Sequence, residues 1–182
     1  YVAVGGRDTM EGNIDIISSG AGYVRLVSEA GDVYVSERHI GMAMHGDRVL
    51  IKAEGGRGGK MEGRVLEVLK RRRTEFVGTL HKREGRMIVV ADDQRMQRPF
   101  FIPPTEVNGA QEGQKVFIEL GEWKDARDMP RGSVLRVLGK AGEHLVEMHA
   151  ILAEFGLPLE FPESVLKASE EIRNGVTPAE IA

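Results

Sequence analysis

The sequence predicts a mainly β chain: two tandem five-stranded antiparallel barrels followed by short α-helices. Three observations carry this. Short alternating apolar and polar segments are separated by glycine-rich or polar turns, as half-buried strands require. The pattern is then duplicated, with Gly63-Arg-Val-Leu-Glu-Val-Leu69 against Gly132-Ser-Val-Leu-Arg-Val-Leu138 identical at five of seven positions. After Gly139 the apolar spacing changes from two residues to three and four, the period of a helix.

The elements follow in order. In the first copy, strands are expected at about 11–17, 22–28, 32–36, 47–54 and 61–70; in the second, at about 75–81, 86–91, 98–103, 114–122 and 132–138. Gly12 and Gly78 fall in matching first strands, and Gly46-Asp-Arg-Val49 matches Gly113-Gln-Lys-Val116, so the repeat period is 66 to 69 residues. Gly55-Gly-Arg-Gly-Gly59 reads as a flexible hairpin connection that could also touch phosphate. Leu145, Met148, Ile151, Leu152 and Phe155 mark a helix over 143–155, Pro162 opens a second helix, and Thr177-Pro178 a third. Such short helices need the second barrel or a further domain to cover their apolar faces. The division is then 1–72, 73–139 and 140–182. Five strands in about 65 residues suit a small OB-type barrel, with an SH3-like barrel as the rival.

Of the 182 residues 41% are hydrophobic and 23 are glycine, which favours small domains over one large core. The absence of cysteine excludes disulfides, thiolate zinc sites and cysteine nucleophiles. No apolar run approaches the roughly 18 residues of a membrane span and the start carries no hydrophobic signal segment, so no membrane partner and a cytoplasmic location are expected. The net charge of −3 conceals a split. Residues 1–138 hold 22 Lys and Arg against 20 Asp and Glu, whereas 139–182 hold 3 against 8. A polyanion would therefore need a local cationic face and not the overall field.

Such a face can be assembled from the pattern. Alternation along 22–26 puts Val24 and Leu26 on one side and Tyr23 with Arg25 on the other; along 32–35 it puts Tyr34 opposite Val33 and Val35. If these strands form a hairpin, Tyr23, Arg25 and Tyr34 make one outward patch, the arrangement by which small barrels stack single-stranded bases; the alternative is that the tyrosines cover a rim. In the second copy one of Phe100 and Phe101 must face inward, and Phe101, aligned with Tyr34, is expected outward. Arg86 and Arg98 flank it, with Arg83 and Arg95. Lys70, Arg71, Arg72 and Arg73 lie at the junction, where they could hold a crossing strand or serve as a solvated linker.

Catalytic signals are missing. The five histidines do not fall at metal-ligand spacing, His45-Gly-Asp47 reads as a tight turn, and Asp92-Asp93 lacks a third ligand. No P-loop, nucleophile elbow or dinucleotide fingerprint occurs.

Several longer pieces are more specific: Ala43-Met-His-Gly-Asp-Arg-Val49, the two repeated strands, Ile102-Pro-Pro104, and Ile151-Leu-Ala-Glu-Phe-Gly-Leu-Pro158 with Phe161-Pro162. With these the chain resembles the ribonuclease R branch of the ribonuclease II family along nearly its whole length. The resemblance implies two cold-shock-type OB barrels that bind RNA and guide it to the protein's own C-terminal catalytic domain, a processive 3′-to-5′ exoribonuclease using Mg²⁺ on aspartates. It places no catalytic residue and no cofactor in the present chain, which is expected to be inactive alone. Gly20 to Val24 and Asp32 to Ser36 look like the two RNA-binding motifs of cold-shock domains, with Ala21 and Ser36 departing from the usual aromatic and histidine. The competing expectation, from the near-neutral charge, is a protein-interaction or autoinhibitory scaffold.

Overall fold

A computed structural model describes residues 9–28, 31–54 and 61–158. The glycine-rich loop at 55–59 and the helices expected from Pro162 and Thr177 lie outside them. Ten strands and one helix are seen: β1 (Thr9–Ile16), β2 (Gly22–Leu26), β3 (Asp32–Val35), β4 (Arg48–Glu54), β5 (Glu62–Lys70), β6 (Glu75–Arg83), β7 (Arg86–Ala91), β8 (Phe100–Ile102), β9 (Gln114–Leu120), β10 (Gly132–Lys140) and α1 (His144–Glu154). Two five-stranded sheets result, joined by the short segment between Lys70 and Glu75.

The expectation of two wholly antiparallel barrels needs correcting. The first sheet closes in the order β1-β2-β3-β5-β4, and its β3–β5 seam is parallel, pairing Tyr34 with Glu62 and Val35 with Gly63. Directions cannot alternate all the way round an odd-numbered ring, so five strands can close only through a parallel neighbour. The second sheet, β10-β9-β6-β7-β8, stays open. Its equivalent seam has shrunk to one parallel bridge between Phe101 and Arg131, because β8 is only three residues long.

Alternation decides what fills each sheet. Ile14, Ile16, Val24, Leu26, Val33, Val35, Val49 and Ile51 point inward in the first, with Ile40 and Ala43 closing one end. Full burial of each such side chain is worth about 1.5 to 3 kcal/mol. The second core holds Phe76, Leu80, Val89, Phe100, Ile102, Val116, Ile118 and Val134, with the Phe76 and Phe100 rings 4.9 Å apart. Met44, from the first repeat, is buried in this second core and so pins the two sheets together.

Gly12 and Gly78 are equivalent by structure as well as by sequence. A Cβ at Gly12 would collide with the Arg25 carbonyl and Val24; one at Gly78 would collide with the Val90 carbonyl and Val89. Each glycine lets a neighbouring strand cross the bent first strand of its sheet.

α1 packs on the second sheet with the opposite face to the one its spacing suggests. Val146, Ala150 and Ala153 are buried against Val77, Phe117 and Leu138, while Leu145, Met148, Ile151 and Phe155 are exposed. Small side chains allow the close approach to the sheet. Lys115, itself buried, fixes the rotation by reaching Asp92 at 2.8 Å and Glu147 at 3.2 Å.

Candidate nucleic-acid interface

The antiparallel β2–β3 hairpin places Tyr23 directly across from Tyr34, with Arg25 across from Asp32. The tyrosine rings meet edge to face at 5.6 Å. Tyr23 is 42% exposed and Tyr34 half-buried, so the patch inferred from alternation exists. Arg25 donates to Asp15 Oδ2 at 3.1 Å, both side chains well exposed. An exposed pair of this kind contributes only about 0 to 1 kcal/mol, so a phosphate can compete for the guanidinium.

Phe101 is half-buried and outward, whereas Phe100 is fully buried, the division required of neighbours on one strand. Arg86 is exposed at the hairpin end, across from Arg83. Arg98 is committed elsewhere, donating to the Ala126 carbonyl in the β9–β10 connection.

The cation run divides. Lys70 ends β5, exposed. Arg71 donates to the Met42 carbonyl at 2.7 Å and to Asp47 Oδ2 at 2.5 Å, and lies 5.7 Å from the Trp123 ring centre. Arg73 bonds Asp93 and, at 3.3 Å, Glu154, with its guanidinium 4.7 Å over Phe76. These two arginines therefore hold the sheets together. Arg72 gives only its backbone N–H, to Asp47 Oδ1 at 3.0 Å, and stays exposed.

Sequence reasoning missed four participants. Asp47, 1% exposed, also accepts the Met44 N–H at 2.8 Å, so the tight turn is real but its carboxylate is the anchor of the whole junction. Gly46, at φ +84°, packs directly beneath the Arg72 side chain. His45 accepts the Ile16 N–H through Nδ1 at 3.2 Å and faces Arg95 across 2.8 Å at Nε2. Burial lowers its pKa, and the charges of Arg95 and Arg72 push the same way. Trp123, half-buried in the β9–β10 connection, donates to the Asp125 carbonyl at 2.9 Å. Each has at least one partner distant in sequence, for Trp123 the Arg71 guanidinium, a relation that local patterning does not register.

Asp92 and Asp93 are ion-pair partners. Asp92 takes Lys115, and Asp93 takes Arg73 and Arg95. Burial works to raise the Asp93 carboxyl, but the hydrogen bonds from Arg95 and the charge of Arg73 outweigh it and hold it below the ordinary carboxylate value. Among the described residues no group of three or more acidic or imidazole side chains could hold a metal, so the residues present do not fit Mg²⁺.

This architecture has relatives. Residues 12–68 match the ribonuclease B OB domain and residues 88–162 the cold shock domain. The ribonuclease R of Acidithiobacillus ferrooxidans is 32% identical over 171 residues, 91% of this chain and 38% of its own length. The chain carries the paired OB and cold-shock region of ribonuclease R. The ribonuclease R of Thermotoga maritima is 28% identical over 92% of the chain and 24% of its own length, so the chain spans well under half of these relatives. The same fold occurs in Mycoplasma genitalium RNase R in complex with ribose methylated single-stranded RNA, at a TM-score of 0.76 and 21% identity over 91% of this chain and 27% of that one. It occurs again in yeast Ssd1, a pseudonuclease, at 0.68 and 14% over 82% and 25%. No helix among the described residues is long and apolar enough to cross a membrane.

Proposed function

We propose that the chain is the RNA-binding region of a processive 3′-to-5′ exoribonuclease, which captures single-stranded or structured RNA without sequence preference and guides it to a catalytic domain elsewhere in the protein. The observation that carries this reading is the Tyr23–Tyr34 pair, two aromatic rings side by side on an outward sheet face with Arg25 beside them. Aromatic faces accept any base, and cations alongside accept the backbone. Lys70, Arg72, Arg86 and Phe101 extend the surface, while Arg71, Arg73 and Arg98 act mainly by holding it in shape. The solved relative bound to single-stranded RNA supports the same use. The Mg²⁺ that the resemblance implies belongs with the catalytic domain.

Fluorescence anisotropy with single-stranded RNA tests the proposal. Binding should weaken steeply with salt, and Tyr23→Ala or Tyr34→Ala should each weaken it roughly five- to 150-fold, from about 1 to 3 kcal/mol per stacked base. The two effects should not add, since the rings share one site. Salt-independent binding, or a folded double variant that binds as the parent does, would refute it. Absence of RNA binding together with capture of a protein by the α1 stripe would favour the scaffold reading.

A further inference from the structure

The tyrosine pair is the middle of a row that crosses the first sheet. Asp15 on β1 is directly opposite Tyr23, Tyr23 is opposite Tyr34, and Tyr34 is opposite Glu62 on β5, so all four side chains leave the sheet on its outer face. In the adjoining row Asn13, Arg25 and Asp32 stand side by side in the same way. The two rows thus carry three carboxylates and one guanidinium. A phosphate laid across the rings would meet a carboxylate at either end, and only Arg25 attracts it. What a carboxylate offers a nucleotide is an acceptor for the N–H groups on the edge of its base.

The two end carboxylates are not equally free. Asp15 accepts from Arg25 at 3.1 Å, and its other oxygen lies 3.9 Å from His45 Nδ1. Glu62 is exposed at the start of β5, and among the described residues no cation pairs with it. Neighbouring strands are about 4.8 Å apart, so a base lying on the Tyr34 ring brings its hydrogen-bonding edge within reach of Glu62, whose rotatable bonds let the carboxylate rise to the plane of the base. The four bases differ at that edge. Guanine presents N1–H and its N2 amino group side by side, two parallel donors that match the two oxygens of a carboxylate. Uracil presents one N–H between two carbonyl oxygens, which a carboxylate repels, and adenine and cytosine each set one amino group beside an acceptor nitrogen. We infer that Glu62 is a specificity-determining residue, which makes the tyrosine pair select guanine at one position of an otherwise sequence-tolerant RNA track. This inference rests on the RNA-binding reading above and concerns the outer face of the first sheet alone.

The test measures the fluorescence anisotropy of an oligouridylate with the 182-residue chain, and of the same oligomer carrying one internal guanosine or one inosine, which keeps N1–H and lacks the amino group. The guanosine oligomer should bind roughly five- to 150-fold more tightly than the oligouridylate, the discrimination of one two-donor contact, with the inosine oligomer between them. Glu62→Gln, whose amide has one acceptor oxygen and a donor nitrogen, should abolish the guanosine advantage without weakening oligouridylate binding, whereas Asp15→Asn should keep it. Tyr34→Ala should weaken the binding of every oligomer. Glu62 is exposed, so the fold should survive its replacement, as circular dichroism would verify. Equal affinity of the parent for the oligouridylate and the guanosine oligomer, or a guanosine advantage that persists in Glu62→Gln, would overturn the inference; if the tyrosine variants then still lose binding, the RNA reading stands. If the parent binds no RNA, both fall.

Discussion

Replacing Asp47 with alanine should loosen the junction between the sheets while leaving both cores intact. The carboxylate is almost wholly buried and accepts three hydrogen bonds, from the Met44 N–H, the Arg72 N–H and the Arg71 guanidinium. The Met44 N–H is buried, so leaving it unpaired costs about 1 to 3 kcal/mol. Arg71 retains 22% of its side-chain exposure and can partly rehydrate, which reduces the loss of its charge-assisted bond to about 1 kcal/mol. Arg72 is exposed, and its N–H adds about 0.5 to 1 kcal/mol. The expected destabilisation is therefore about 2.5 to 5 kcal/mol, and Asp47→Asn, which keeps one acceptor oxygen, should lose less. The protein provides its own probe, because its single tryptophan, Trp123, lies beside Arg71 at this junction. In urea titrations of the alanine variant, Trp123 fluorescence should change at lower denaturant than the far-ultraviolet circular dichroism of the strands. A loss below about 0.5 kcal/mol, the range of an ordinary surface substitution, or coincident transitions at the parent's midpoint, would refute the reasoning.

Gly12→Ala and Gly78→Ala should each destabilise by about 2 to 3 kcal/mol, the upper part of the overpacking range, because the obstruction is a backbone carbonyl and not a movable side chain; thermal melts near the parent's for either would contradict the shared strand crossing. Lys115 is opposed by burial, yet Asp92 and Glu147 raise its pKa above the ordinary 10.5. A raised folded value means that its stabilisation is complete below 10.5 and lost as pH climbs through the folded pKa. Lys115→Met should therefore remove part of the parent's alkaline loss of stability in denaturant titrations across that window, and an unchanged alkaline limb would count against the role. Asp93 is the opposite case: its folded value is depressed below 3.8, so its tether to Arg73 and Arg95 is present above 3.8 and lost as pH falls through the folded value. Trp123 fluorescence of Asp93→Asn at neutral pH should resemble that of the acidified parent, and a parent-like spectrum would reject the tether.

All ten strands could be located from the sequence because strand formation here depends on a local signal, alternation between turns. The same signal put Tyr23 and Tyr34 on one face and chose Phe101 over Phe100 as the outward ring. At α1 the three-and-four spacing marked the stripe of large apolar residues, which lies outside, and not Val146, Ala150 and Ala153, which face the sheet. Periodicity reports that a stripe exists, but close packing on a sheet selects small side chains that a hydrophobicity pattern discounts. The fate of the cation run was out of reach for a different reason. Arg71 and Asp47 are 24 residues apart, and Arg73 and Glu154 81 apart; only the docking of one sheet on the other brings them together.

That docking also sorts the cations of the Lys70–Arg73 segment. Burying Met44 in the second core draws the Lys70–Arg73 segment against Asp47 and Asp93, which neutralise the arginines that fasten the junction. Arg72 is left exposed beside Arg95 where the two sheets meet. Reversing Arg72 to glutamate should then weaken RNA binding more than Arg72→Ala does, and should make Trp123 fluorescence no different from the parent's. A shifted Trp123 signal would mean that Arg72 helps to hold the junction, and the separation between fastening and binding arginines would have to be abandoned.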